Sequence, residues 1–327
     1  MKCKAYPVYF LAAVLMITIV AGVAGCGQSA KPTTEGQPPM TTLKIGLLPT
    51  EDTMPVLVAA KEGYFTAENL DVEVIPFQSP VESQSAFQSG GIDGMVTDMI
   101  VAALLKSAGE DLRITSIAFG ATPQEGPFAI IAAPQSTVKT VADLKGKSIG
   151  ISANSIIEYV TDGLLTAGGV DPAEVNKVTV AKIPLRVEML LNNKIDAITV
   201  PEPQISYVTA EGARVIAEDT KGDNLSQSVI IMTGKTLNEK HDAVIRFFKA
   251  YTKAVNAINN QPEQYRDLFI ENMNIPANIA AKYKVQHYPL PQLPAEQDVN
   301  RVLTWLDNKQ LLKNEVTYGD FLQQGLY

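Results

Sequence analysis

Short apolar runs alternate with segments of helical spacing along most of the chain. Residues 43–49 (LKIGLLP) and 92–96 read as buried strands, and residues 54–62 and 99–106 after them carry apolar residues at helical intervals. The same order starts again near residue 148. Because strands that alternate with helices pair mostly in parallel and are covered on both faces, the pattern predicts an α/β fold.

The predicted elements fall into two similar passes and a helical tail. Ile45-Gly46 in the first pass matches Ile149-Gly150 in the second, which supports two related lobes. The tail begins at residues 243–259, where apolar residues form one stripe of a helix. We predict strands at 43–49, 70–77, 92–96, 113–119, 127–133, 148–151, 175–183, 195–200, 214–218 and 229–233. We predict helices at 54–62, 80–89, 99–106, 155–167, 184–193, 203–211, 243–259, 262–272, 276–284 and 294–309.

The tail implies that the chain returns to its first lobe. We expect the first lobe at residues 42–133, the second at 134–227, and the rest of the first lobe at 228–327. Two crossings would then join the lobes, near residues 132–136 and 223–228.

The N-terminus has the features of an export signal. Lys2 and Lys4 precede an apolar run at residues 8–20, which is shorter than the roughly 20 residues that a spanning helix needs. The sequence Val-Ala-Gly-Cys ending at Cys26 resembles a bacterial lipobox. We therefore expect a leader at residues 1–25, lipid on Cys26, and a flexible tether at 26–41. The alternative is a plain signal peptide with an incidental cysteine.

Charge and cysteine content narrow the function. The chain has 27 basic and 35 acidic residues and a net charge of −8, so it has no electrostatic footprint for nucleic acid. Cys3 would leave with the leader. The single cysteine that remains cannot form an internal disulfide, which argues for acylation and against redox or metal chemistry.

Polar residues follow nearly every predicted strand. Ligands of open parallel sheets bind beyond the carboxyl ends of the strands, so these turns predict a ligand site between the lobes. The turn at residues 152–155 (SANS) joins a strand to a helix and would offer backbone N–H groups and hydroxyls; an ordinary capped loop is the alternative. The turns lie at residues 50–54, 78–81 with Gln78, 97–98, 121–122 with Thr122, 152–155 and 201–203.

At this point the chain resembles a known family, the type 2 periplasmic substrate-binding proteins of ABC importers, in the branch that serves nitrate, sulfonates, taurine and thiamine-pyrimidine precursors. The segments that carry the resemblance are residues 43–49, 59–65 (AAKEGYF), 90–98 (GGIDGMVTD), 137–151, 192–203 (NNKIDAITVPEP) and the lipobox.

The resemblance implies a two-lobe type 2 periplasmic-binding-protein fold, with two mostly parallel sheets, two crossings and the helical tail on the first lobe. It implies a lipid-anchored, extracytoplasmic monomer that captures a small molecule without a cofactor and delivers it to a permease with a cytoplasmic ATPase. Carried over by position, the ligand-lining residues are Asp52, Thr53, Thr97, Asp98, Ser152, Asn154, Ser155 and Glu202.

The predicted rim is acidic. Glu51, Asp52, Asp98, Glu158 and Glu202 fall near it, and repulsion from each unscreened carboxylate would be about 1–4 kcal/mol at about 4 Å. We therefore favour a neutral or cationic ligand, such as an amine-bearing, pyrimidine-like ring. A sulfonate or nitrate anion is the alternative.

Aromatic residues and one arginine leave further alternatives open. Phe77, Phe119, Phe128 and Tyr159 could stack on a ring or pack in the core. Arg186 could pair with an anionic ligand, but a solvated start of a helix is the simpler interpretation.

The sequence gives less support to an enzymatic function. The two histidines, His241 and His287, lie in the helical tail without a partner at a catalytic or metal-binding spacing. Gly146-Lys147-Ser148 mimics the end of a P-loop, yet its lysine opens a strand and the first glycine is replaced by Val141. A pyrimidine-precursor synthase of the same fold branch and a ligand-binding sensor subunit are the remaining alternatives.

Overall fold

Two five-stranded sheets form the framework of the computed structural model, which describes residues 40–221 and 223–327. The predicted leader, Cys26 and nearly all of the predicted tether lie outside the described residues. The strands are β1 Thr41–Leu47, β2 Leu70–Pro76, β3 Gly94–Asp98, β4 Leu112–Phe119, β5 Phe128–Ala132, β6 Ser148–Ile151, β7 Asn176–Thr179, β8 Ala197–Pro201, β9 Arg214–Glu218 and β10 Ser228–Thr233.

Helices occupy both faces of the sheets, as the alternating pattern predicts. They are α1 Met54–Lys61, α2 Tyr64–Ala67, α3 Pro80–Gln88, α4 Met99–Ser107, α5 Ile156–Ala167, α6 Ile183–Leu191, α7 Gln204–Ala210, α8 Gly234–Glu239, α9 His241–Asn260, α10 Pro262–Asn272, α11 Ala277–Ala280, α12 Glu296–Asn308 and α13 Tyr318–Phe321.

The two sheets share one topology. The first has the order β2-β1-β3-β10-β4 and the second has the order β7-β6-β8-β5-β9. In each sheet the fourth strand, β10 or β5, runs antiparallel to both neighbours, and the other pairings are parallel. The predicted α/β architecture with mostly parallel sheets is confirmed.

The first crossing lies earlier than the sequence predicted. We expected it near residues 132–136, but β5 already pairs with β8 and β9 of the second sheet. The chain therefore crosses between β4 and β5, at residues 120–127, and returns between β9 and β10, at residues 219–227. The apolar run of β5 did not reveal its sheet, because its partners lie far away in sequence.

The helical tail packs on the first sheet. The predicted stripe of α9 is buried, with Phe248, Tyr251, Val255 and Ile258 shielded from solvent. These side chains join Leu43 and Ile45 of β1 in one apolar cluster. Burial of each such side chain stabilises the fold by about 1.5–3 kcal/mol relative to exposure.

Two predicted elements are shorter in the structure. The strand predicted at 175–183 ends at Thr179, and α6 begins four residues later. The helix predicted at 276–284 is only α11, and an irregular segment continues from it to α12. Among the described helices, none combines the length and apolarity needed to cross a bilayer.

Candidate functional site

A cavity lies between the two sheets at the carboxyl ends of β1, β3, β6 and β8. The cavity has a volume of about 80 Å³. The wall is formed by Leu48, Thr50, Glu51, Asp52, Pro80, Thr97, Asp98, Phe119, Gly126, Phe128, Ser152, Ser155, Ile156, Ile157, Ile183, Arg186, Pro201, Glu202, Ser226 and Ser228. Both crossings contribute to this wall, so the cavity adjoins the connections between the sheets.

Six of the ten ligand-lining residues expected from the sequence lie on this wall. They are Asp52, Thr97, Asp98, Ser152, Ser155 and Glu202. Their common feature is position: each stands at or just after the end of a strand whose neighbours end at the same edge. The strand-end rule therefore located most of the polar lining.

The other four expected residues stand outside the wall. Thr53 Oγ1 donates to the carbonyl of Thr50 at 2.8 Å and closes its own turn. Gln78 faces a neighbouring groove beside Pro49. The Thr122 carbonyl accepts from the Glu125 N–H at 3.0 Å within the first crossing. Asn154 is exposed, and its N–H donates to Glu158 Oε2 at 2.8 Å.

The aromatic residues divide between cavity and core. Phe119 and Phe128 line the cavity. Tyr159 instead packs edge-on against Trp305, with ring centres 5.3 Å apart, and Phe77 packs against the apolar core.

Arg186 is the cationic group of the cavity, and our expectation of a solvated arginine is wrong. The side chain is fully buried on α6; Nη1 donates to Ser152 Oγ at 2.7 Å and to the Val180 carbonyl at 3.2 Å. Within the described residues, Nε and Nη2 have no hydrogen-bond partner. Burial lowers the pKa of Arg186 to about 10, so the guanidinium stays charged at neutral pH.

A signal for Arg186 was present in the sequence. Ile183, Val187 and Leu190 form the buried face of α6, and Arg186 lies on that face at helical spacing. Burial of this apolar face therefore also buries Arg186.

Burial also changes the acidic side of the cavity. It raises the pKa of Glu51 to about 8 and that of Asp98 to about 6, and it raises the pKa values of Asp52 and Glu202. The repulsion expected from the sequence assumed ionised carboxylates. With a pKa of about 8, Glu51 holds its proton at neutral pH and therefore repels an anion less than an ionised carboxylate would.

Each carboxyl group is positioned by specific donors. Tyr283 Oη donates to Glu51 Oε1, while Oε2 of the same carboxyl has no partner in the described part of the chain. Asp98 Oδ1 accepts from the Val101 N–H at 2.8 Å and caps α4. Glu202 Oε1 accepts from Ser206 Oγ at 2.9 Å. Glu158, expected near the rim, lies outside the cavity wall and pairs with Lys309.

The arrangement is chemically suited to holding a molecule. Arg186 offers the N–H groups of two nitrogens, Nε and Nη2, to an acceptor or anion, and Glu51 offers one carboxyl oxygen, Oε2, that has no partner among the described residues. No histidine or cysteine appears on the described cavity wall. Among the described residues, no group of histidine, cysteine and acidic side chains has the arrangement of a metal site.

Comparison with known proteins gives one family and several relatives. Residues 50–265 match the model of the family described as "NMT1/THI5 like". The chain is 23% identical to the "Putative ABC transporter periplasmic binding protein" of Brachyspira hyodysenteriae, over 68% of this chain and 66% of that protein, just under two thirds of its length. It is 21% identical to the "Putative aliphatic sulfonates-binding protein" of Bacillus subtilis, over 88% and 85% of the two chains.

A solved structure shares the fold. The alkanesulfonate-binding protein SsuA from Xanthomonas axonopodis pv. citri, bound to MOPS, superposes with a TM-score of 0.75 at 17% identity. The match covers 86% of this chain and 98% of that one. At this identity the likeness establishes a periplasmic-binding-protein fold.

Proposed function

This chain belongs to the NMT1/THI5-like family, and from that premise we propose that it is the extracytoplasmic solute-binding component of an ABC importer. It captures a compact molecule in the cavity between its two sheets and delivers it to a permease that works with a cytoplasmic ATPase. The relatives named as ABC transporter and sulfonate-binding proteins support this role.

One observation carries the proposal: a fully buried guanidinium on the wall of a cavity has two nitrogens, Nε and Nη2, without a hydrogen-bond partner among the described residues. An unpaired buried charge is costly, so a protein retains one where a partner arrives from outside. The other wall groups are polar or apolar side chains suited to enclosing a molecule.

The same atoms define the ligand. We infer a compact, bipolar molecule whose acidic or acceptor group binds Arg186 and Ser152, and whose amine or other donor binds Glu51. The hydrogen bonds of Arg186 among the described residues go to a hydroxyl and a carbonyl, neither of which carries a counter-charge. The ligand must supply that counter-charge.

This ligand differs from the neutral or cationic, pyrimidine-like molecule favoured by the sequence. Arg186 supplies a cation that the sequence reasoning placed in solvent, and the raised pKa values weaken the case against an anion. A simple sulfonate or nitrate anion is the second candidate, favoured by the same arginine. A pyrimidine would use the rings of Phe119 and Phe128.

A transport role fits the cavity better than catalysis. A synthase that consumes its own histidine needs one at the site, and the described cavity wall contains none. A sensor would bind its ligand in the same way and differ only in the protein that receives the closed form.

We further propose that the two lobes move as bodies about residues 120–127 and 219–227, so that binding closes the cavity. A monomer anchored through lipid on Cys26 completes the proposal. One acyl chain alone gives only weak attachment, so the anchor carries more than one.

A matched panel of compounds tests both the solute-binding role and the bipolar character of the ligand. Taurine carries an amine and an acid, ethanesulfonate lacks the amine, and ethanolamine lacks the acid; nitrate and 4-amino-5-hydroxymethyl-2-methylpyrimidine represent the alternatives. A compound at 100 times its Kd adds about 2.7 kcal/mol to the stability of the fold, which a thermal melt detects. We expect the largest shift with taurine.

Other outcomes have defined meanings. Equal shifts with taurine and ethanesulfonate would replace the bipolar ligand by a simple anion. A shift with only the pyrimidine or ethanolamine would remove Arg186 from the ligand contacts. If no compound shifts the melt and native mass spectrometry finds no retained small molecule, the solute-binding proposal is wrong.

A further inference from the structure

The loop at residues 152–155 is held by a side chain outside the cavity. Ser152 and Ser155 of this loop line the cavity, and Asn154 between them has a φ of +56°, in the left-handed region. Asparagine adopts this conformation more readily than other residues with a Cβ, and a hydrogen bond of its backbone helps to hold it there. The Asn154 N–H donates to Glu158 Oε2 at 2.8 Å.

The other oxygen of Glu158 faces a lysine from the first lobe. Lys309 Nζ contacts Glu158 Oε1 and lies 3.0 Å from Asp162 Oδ2. Lys309 follows α12, and α12 packs on α4, the helix that follows β3 of the first sheet. One carboxylate thus joins the helical tail of the first lobe to a ligand-facing loop of the second.

The side chains that make these contacts are largely shielded from solvent. The side chains of Glu158 and Asp162 are each 9% exposed, and that of Lys309 is 27% exposed. Although burial opposes it, the hydrogen bonds from Lys309 and Asn154 lower the pKa of Glu158, so the carboxylate stays ionised. Whatever the net stability of a shielded ion pair, leaving one partner buried and unpaired is costly.

The surrounding contacts favour a fixed geometry. Trp305 of α12 donates from Nε1 to Asp162 Oδ2 at 3.2 Å. Lys177, from the second lobe itself, lies 2.8 Å from Asp162 Oδ1 but 3.5 Å from Glu158 Oε1. Lys309 is therefore closer than Lys177 to the carboxylate of Glu158, whose other oxygen accepts from the Asn154 N–H.

We propose that Lys309 is a positioning residue that sets the shape of the cavity loop through Glu158. The contact between α12 and α5 is then coupled to the conformation of residues 152–155. A change in the relative position of the lobes would therefore change the shape of the cavity wall. The inference rests on the proposed function for what the loop touches, but the coupling itself is measurable without any ligand.

Hydrogen exchange of the Asn154 amide on the full chain, followed by mass spectrometry, tests the coupling. Lys309→Met keeps the length of the side chain and removes its charge. We expect exchange at Asn154 to become roughly three- to tenfold faster, as for the weakening of one charge-assisted hydrogen bond. Lys309→Arg should restore most of the protection.

Matched variants separate positioning from general loosening. Lys313→Met removes the same charge from a nearby exposed site and should change nothing. Lys177→Met should have a smaller effect than Lys309→Met. Glu158→Gln should speed exchange at Asn154, and adding Lys309→Met to it should speed exchange no further, because both act through one contact.

Three results would overturn the proposal. In the first, Lys309→Met speeds exchange in α12 and leaves Asn154 unchanged, as a purely structural lysine would. In the second, Lys177→Met equals Lys309→Met. In the third, the effects of Glu158→Gln and Lys309→Met multiply. A wild-type chain that binds none of the compound panel would instead contradict the proposed function, and the exchange data would still decide this inference.

Discussion

Arg186 donates a hydrogen bond of 2.7 Å from Nη1 to Ser152 Oγ, so α6 and the loop before α5 meet at the cavity wall. This bond fixes one edge of the guanidinium and leaves Nε and Nη2 free for another acceptor. Because an arginine presents its N–H groups in a rigid fork, fixing one edge fixes the direction of the rest.

Replacing Arg186 separates binding from stability. Arg186→Met should weaken binding of an acid-bearing ligand such as taurine by roughly 10- to 150-fold, the equivalent of a charged hydrogen bond worth about 1.5–3 kcal/mol. The melting temperature of the ligand-free protein should stay equal or rise, because a buried unpaired charge is removed. Isothermal titration calorimetry and thermal melts measure the two effects.

A control comes from the turn after the same helix. Lys194→Met removes an exposed positive charge beyond the end of α6 and should leave both measurements unchanged. If Arg186→Met lowers the melting temperature and keeps its affinity, the arginine supports the fold and does not contact the ligand.

Glu51 should make the fold less stable as the pH rises. Burial raises its pKa from 4.5 to about 8, so between these values the folded state binds more protons than the unfolded state. Stability from this group is complete below about pH 4.5 and is lost as the pH rises to about 8, with a slope of at most about 1.4 kcal/mol per pH unit.

The variant Glu51→Gln isolates that contribution. Glutamine keeps an oxygen for Tyr283 and cannot ionise, so its stability advantage over wild type should grow from pH 5 to pH 8 in urea unfolding. The exposed carboxylate of Glu62 provides the comparison, and Glu62→Gln should show no such trend. A constant difference between Glu51→Gln and wild type across this range would mean that Glu51 ionises normally.

Much of the fold was readable because its signals are local. The buried stripe of α9 and the cap at Asp98 each follow from a few consecutive residues. The sheet that receives β5 does not, since its partners β8 and β9 are distant in sequence. The burial of Arg186 had a local signal, its position on the buried face of α6, but its hydrogen bond to Ser152 could not be read from that pattern. Its charge alone predicts that Arg186 is solvated, whereas the cavity next to α6 provides a buried position for it.

Asp98 should contribute to stability through the start of α4. Its carboxylate accepts from the Val101 N–H at 2.8 Å, so Asp98→Ala should lower the free energy of unfolding by about 0.5–2 kcal/mol. Asp98→Asn keeps an acceptor and should cost less. Urea unfolding measures both, and equal losses in the two variants would show that the charge matters more than the cap.

Variants of two cysteines test the proposed lipid anchor. Cys3 lies in the proposed leader and Cys26 directly follows it, and both lie outside the described residues. Cys26→Ser removes the proposed acylation site, so the protein should move from the membrane to the soluble fraction while its thermal melt stays unchanged.

Cys3→Ser is the matched control for this experiment. It makes the same chemical change in the proposed leader, and if the proposed processing takes place the protein should remain in the membrane fraction with a mass that includes lipid. Retention of the Cys26→Ser protein in membranes would contradict the anchor, since one uncleaved apolar run or a protein contact would then have to hold it. Fractionation with intact-mass measurement distinguishes these cases, because an uncleaved leader adds the mass of residues 1–25 and an acyl anchor adds the mass of its chains.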